Sequence, residues 1–123
     1  MSHADDWVML NLSDDPIWER TFFVHPLVII GTVEANGNAD FAPKHMVTPI
    51  GFGNWFCFVC TPSHSTFQNI LRDKCFTVSY PPPVQVLLTS LAASPRNDCC
   101  EKPNLSAIPC RPDQVVKSVV VDY

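Results

Sequence analysis

Two short stretches hold residue types that could do chemistry. Phe41-Ala-Pro-Lys-His-Met-Val-Thr-Pro49 sets Lys44 and His45, two side chains able to carry positive charge, directly after the backbone turn that Pro43 fixes. Thr61-Pro-Ser-His-Ser-Thr66 gathers Ser63, His64, Ser65 and Thr66 immediately before Phe67, Ile70 and Leu71, which recur at i, i+3 and i+4 as one face of a short helix. Unpaired N–H groups and the dipole at such a helix start favour an anion. Each dipole contribution is worth only ~0.3–1 kcal/mol at an exposed site, so a bound phosphate needs several donors together or a fixed cation. The plain alternatives are an exposed loop after a hairpin for the first stretch and N-capping by Ser63 or Ser65 for the second. No acid–base dyad, Walker loop, Rossmann fingerprint or metalloprotease helix is present, and four glycines in the chain argue against a glycine-cradled dinucleotide site.

The elements that must position these stretches follow from hydrophobic pattern. The β-branched run 27–33 reads as a strand, and Asn36-Gly37 between apolar segments signals a hairpin with both turn residues at positive φ, returning through a strand over 39–44. Residues 46–51, punctuated by Pro49 and Gly51, read as a loop, and the aromatic run 54–60 as a covered strand with Trp55 and Phe56 in the core. A strand over 75–80 follows the short helix. The prolines 81–83 then open a second helix over 84–93 with Val84, Leu87, Leu88 and Leu91 on one side. The segment 94–114 reads as loop, with Arg96 and Arg111 at the surface, and 115–121 as a last strand. About five strands and two short helices, with neither helix clearly bridging parallel strands, suggest an antiparallel barrel rather than βαβ units.

Composition bounds the rest. A chain of 123 residues with 46% hydrophobic and 16% charged residues builds one core and is not intrinsically disordered. A net charge of −4 speaks against a general nucleic-acid role. The acidic start lacks the basic residues of a signal peptide, and no apolar run approaches the ~20 residues that span a bilayer, so no membrane association and a cytoplasmic location are expected. Residues 1–20 read as an N-terminal arm and 21–123 as the folded domain. Of the six cysteines, Cys57, Cys60 and Cys75 are expected as reduced, buried thiols. Cys57 and Cys60, three apart on a strand, point to opposite faces, and Cys99, Cys100 and Cys110 lack a fourth ligand, so no metal site is expected.

Several features in order carry a resemblance: Asn36-Gly37, Phe41-Ala-Pro43, Thr48-Pro-x-Gly51, the aromatic strand, Ser65-Thr66-x-x-Asn69-Ile70 and Cys75-Phe-Thr-Val-Ser79. Over residues 26–91, about half the chain, the sequence resembles the flavin reductase-like, FMN-binding split-barrel family. The resemblance implies a mainly β fold, an antiparallel split β-barrel with two short helices, incomplete at its C-terminus because family members continue with further strands. It implies Ala42, Pro43 and Thr48 along the flavin ring or chain and Ser65, Thr66 and Asn69 toward the phosphate, with the neighbouring Lys44, His45, Met46, Ser63 and His64 as further candidates for cofactor binding where this chain departs from the family's pattern. Many members carry Arg or Lys just before the Thr of the phosphate motif, where this chain has Ser63 and His64, so the basic contact would come from Lys44 or Arg72 instead. The cofactor implied is FMN, with FAD as the variant, and NAD(P)H as a transient co-substrate in a homodimer. Hydride transfer is then carried by the cofactors, with Lys44 or His45 in an electrostatic role rather than a catalytic one. A non-enzymatic FMN-binding electron carrier and a cofactor-free dimeric barrel are the alternatives.

Overall fold

The computed structural model describes residues 24–122; the acidic arm over 1–20 lies outside the described residues. Strand β1 (Val28–Val33) is the central strand of a three-stranded antiparallel sheet, flanked by β2 (Ala39–Lys44) and β5 (Thr77–Ser79). Two antiparallel pairs, β3 (Val47–Ile50) with β4 (Trp55–Phe58) and β6 (Cys110–Pro112) with β7 (Val119–Val121), complete the strands among the described residues. Helix α1 (Ser65–Asp73) and helix α2 (Val86–Ala92) are the two α-helices among the described residues.

The unbroken apolar run of β1 has a direct cause. Val28, Ile29 and Ile30 are wholly buried because side chains alternate across the sheet and both faces are covered. Val28 and Ile30 join Val47, Phe56, Phe58, Ile70, Phe76 and Val78 on the α1 face. Ile29 joins Phe41, Leu88, Leu91, Ala92, Ile108 and Val121 on the α2 face. Gly31 is required where β7 crosses this second face. A Cβ there would collide with the backbone oxygen of Val119 and the Thr77 hydroxyl, and Ser118 Oγ donates to Gly31 O at 2.8 Å. Strand β7 is thus tied to the sheet by side-chain hydrogen bonds, with Val121 N–H donating to Ser79 Oγ at 3.4 Å, rather than by a ladder.

Several expectations are corrected. The β1–β2 hairpin turns on Gly37 alone at φ 89°, with Glu34 N–H donating to Asn38 O at 2.8 Å and Gly37 N–H to Glu34 O at 2.9 Å. That is a three-residue loop closed by one left-handed glycine rather than a two-residue turn with Asn36 also at positive φ. The segment read as a loop over 46–51 contains β3, which accepts Pro49 because it is an edge strand of a two-stranded sheet. Strand β6 lies in the other presumed loop; its three residues are all exposed, so no apolar alternation marks it. The last strand begins only at Val119, because Asp113 Oδ1 accepts the N–H groups of Val115 and Val116, both at 2.8 Å, and bends the chain there. Trp55 is 74% exposed rather than in the core.

Helix α2 also differs. A 3₁₀ turn (Pro83–Gln85) precedes it, and its tighter winding shifts the phase. Leu88, Leu91 and Ala92 face the core while Val84 and Leu87 are exposed. Cys57, Cys60 and Cys75 are half-buried rather than buried, and all six cysteines are free thiols. No helix among the described residues is long and apolar enough to cross a membrane.

Candidate functional site

Strand β2 is the outer strand of its sheet, and the start of α1 sits beside it. Where they meet, a cavity of about 400 Å³ opens. Ala42, Pro43 and Lys44 form one wall and Ser63, His64, Ser65 and Thr66 another, so the two chemistry-bearing stretches reach one space. The end of α2 and the segment following it close the cavity with Ala92, Pro95, Arg96 and, further on, Lys102.

The helix start is left open by its own side chains. His64 takes the N-cap position with φ −77° and ψ 141°, no side chain caps it, and the first turn carries no acid. The expected capping by Ser63 or Ser65 is therefore corrected: Ser65 is already the first helical residue, and Ser63 precedes the cap position. The first N–H groups of a helix have no acceptor within it, so here they remain donors for something else.

Behind the cavity lies a buried carboxylate. Asp40 is 1% exposed, and its charge is balanced by Arg96 Nη2 at 3.1 Å and Lys102 Nζ at 3.5 Å. The hydroxyls of Thr32 and Thr66 donate to Asp40 Oδ2, each at 3.4 Å. Arg96 also pairs with Glu34 and donates to the backbone oxygen of Cys100. Lys102 Nζ further donates to the carbonyls of Phe41, at 2.9 Å, and Ala92, at 3.3 Å, covering the outer edge of β2. Burying a carboxylate is costly unless it is paired and hydrogen-bonded, and Asp40 is both.

The predicted residues divide into two groups. Ala42, Pro43, Lys44, Ser63, His64, Ser65 and Thr66 line the cavity. His45, Met46, Thr48 and Asn69 do not. His45 and Met46 are exposed at the turn into β3, and the Thr48 hydroxyl donates to Pro49 O at 3.2 Å. Asn69 is buried, with Nδ2 donating to Thr32 Oγ1 at 3.1 Å and Oδ1 accepting from Arg72 Nη1 at 3.1 Å, so it braces the Thr32–Asp40 network from behind.

Arg72, the other suggested basic contact, is occupied elsewhere. It pairs with Asp73 at 2.6 Å and donates to Val33 O, so of the two alternatives only Lys44 lines the cavity; its Nζ donates at 3.6 Å to the Sγ of Cys60, a residue off the cavity wall. The hydrogen bond to Asp73 raises the Arg72 guanidinium and holds the Asp73 carboxyl below its ordinary range. Asp40, Arg96 and Lys102 were not legible as site residues. Their only sequence signal is a lone acid inside an apolar strand, and their partners lie 56 or more residues away.

A second cavity of about 670 Å³ shares Asp40, Arg96 and Lys102 and is lined on its far side by Cys99, Cys100 and Cys110. It is the larger, but it holds none of the predicted site residues.

No protein-family model and no curated protein matches the sequence. Solved structures do match. Flavoredoxin of Desulfovibrio vulgaris (Miyazaki F) superposes with a TM-score of 0.72 at 15% identity, over 93% of this chain and 61% of that one. Nitrilotriacetate monooxygenase component B from Bacillus cereus gives a TM-score of 0.74 at 12% identity, over 94% and 63%. A flavin-reductase-type protein with a split-barrel domain from Shewanella frigidimarina gives 0.67 at 19% identity, over 80% and 50%. The chain spans between 50% and 63% of the length of these three. Strand order, the two short helices and these superpositions together give the chain the flavin reductase-like split-barrel fold.

Proposed function

We propose that this chain binds FMN at the cavity between β2 and α1 and serves a flavin-dependent oxidoreductase of the flavin reductase type, with NAD(P)H as hydride donor. The observation that carries the reading is the convergence of Ala42–Lys44 and Ser63–Thr66 on one space. The lining suits a phosphorylated, partly apolar ligand: it combines open helix N–H groups, the cations Lys44, Arg96 and Lys102, and the apolar Ala42, Pro43 and Ala92. The fold likeness to a flavoredoxin and to a flavin-reductase-type protein supports a flavin over other planar ligands.

A bound flavin would supply two-electron transfer between a reduced nicotinamide and an acceptor. The chain's own residues then bind and orient. The first turn of α1 takes the phosphate, Ala42 and Pro43 offer an apolar wall that excludes water, and Lys44 stands as a fixed charge. Of the two residues considered for an electrostatic role, His45 is exposed and off the cavity wall, which leaves Lys44. Replacing Lys44 with Met is expected to lower the midpoint potential of bound FMN by roughly 30 mV, the equivalent of ~1.4 kcal/mol for two electrons. An unmoved potential removes Lys44 from this role.

The reading includes a single domain over 21–123, a cytoplasmic location and a homodimer. Among the described residues Phe52, Trp55, Val84 and Leu87 are each more than 70% exposed, surface that a second copy would cover. The visible spectrum and native mass of the purified chain, read together, test this. Flavin absorbance in a dimeric species supports it, and a colourless dimer that takes up no added FMN favours a cofactor-free barrel. Oxidation of NADH dependent on added FMN separates the reductase from a flavin-holding electron carrier.

A further inference from the structure

The phosphate motif lacks the basic residue expected beside Thr66, and the structure brings cations to the same place from elsewhere. Arg96 and Lys102 both reach the cavity wall from the segment after α2, with side chains 27% and 14% exposed. They are not equivalent. Lys102 gives two of its three N–H groups to the carbonyls of Phe41 and Ala92, and its charge is held 3.5 Å from Asp40. Arg96 has five donors, and three contacts account for its bonds to Asp40, Glu34 and Cys100 O. Two of its donors are left over, and Arg96 lines the same cavity as Lys44 and the uncapped start of α1.

We propose that Arg96 is the specificity-determining residue for a phosphate monoester at this cavity, with Lys102 and Asp40 as positioning residues that hold it at the wall. The inference rests on the flavin reading for its ligand, FMN, and distinguishes FMN from riboflavin. The charge balance agrees: Lys44, Arg96 and Lys102 face Asp40 in the cavity, with Glu34 behind Arg96, leaving one positive charge in excess. A phosphate monoester carries about −1.5 to −2 at neutral pH, and a neutral ribityl alcohol gains nothing from that excess. Arg is suited to the task because its planar fork meets phosphate oxygens in pairs.

The experiment measures FMN and riboflavin affinity by flavin fluorescence for the full chain, Arg96→Gln, Arg96→Lys and Glu34→Gln, with thermal melting in inorganic phosphate alongside. Arg96→Gln is expected to weaken FMN binding about tenfold to a hundredfold, in line with loss of charge-assisted hydrogen bonds, and to leave riboflavin unchanged. Arg96→Lys recovers part of the loss. Glu34→Gln, which relieves Arg96 of a competing carboxylate outside this cavity, raises the FMN-to-riboflavin ratio and keeps the proposal testable if Arg96→Gln does not fold. An unchanged ratio in Glu34→Gln and in folded Arg96→Gln overturns the inference while leaving flavin binding intact. If the full chain binds neither flavin, the flavin reading fails, and the melting arm decides for Arg96: stabilisation by phosphate that Arg96→Gln abolishes upholds it, and equal melting of both proteins overturns it.

Discussion

The two ends of α1 are built to different standards of completion. At its C-terminal end, Lys74 turns left-handed at φ 58° and donates its N–H to Ile70 O at 2.8 Å. Arg72 there binds Asp73, Asn69 and Val33 O, so the chain itself satisfies that end. At the N-terminal end no side chain caps the helix, no acid complements its dipole, and the nearby charges belong to β2 and to the segment after α2. Both ends are polar, but only one is closed. The open end is the one at which the proposed ligand's charge would find unmatched donors.

The comparison breaks most severely at Asp40, which ties the open end to the sheet through Thr66. Asp40→Ala leaves Arg96 and Lys102 without their shared carboxylate and is expected to destabilise the fold by about 3 kcal/mol, measured by denaturant unfolding. At the closed end, Lys74→Gly relieves a left-handed side-chain residue. It is expected to stabilise the chain by about 1 kcal/mol while leaving flavin affinity unchanged. A Lys74→Gly variant with altered flavin affinity would mean that the two ends are coupled.

The smallest effect is acid dependence. Asp73 is held below its ordinary range chiefly by the Arg72 hydrogen bond, so its contribution to stability is complete above that range. It is lost as the pH falls through the lowered native value. Asp73→Asn should therefore flatten the acid limb of the stability profile without shifting flavin binding, as read by unfolding at a series of pH values.

What the sequence made visible and what it hid follow the same physical line. Strand β1 is legible because burial on both faces leaves the apolar run Val28–Ile30 there, and α1 because Phe67, Ile70 and Leu71 keep helical spacing, although of that face only Ile70 packs in the core and Leu71 is 54% exposed. Ala42, Pro43, Ser65 and Thr66 were found through motif order within one local stretch each. Strand β6 was not legible, being three exposed residues whose only structure is pairing with β7. Arg96 was hidden for a related reason. An arginine in a polar loop looks like any surface arginine until the fold sets it 3.1 Å from the buried Asp40. Asn69 was misleading in the other direction, since a buried amide can brace a network without touching the cavity.

The account stands or falls on whether the open start of α1 takes the phosphorylated tail of a flavin. Phosphorus NMR of FMN titrated with the purified chain reads that contact directly, and Ser65→Pro supplies the control. Proline is accepted at a first helical position, where it deletes the backbone N–H together with the Ser65 hydroxyl and keeps the helix. The account predicts a shifted, broadened FMN phosphate resonance with the full chain and a smaller shift with Ser65→Pro. An FMN whose ring fluorescence is quenched by the chain while its phosphate resonance stays at the free position would contradict it.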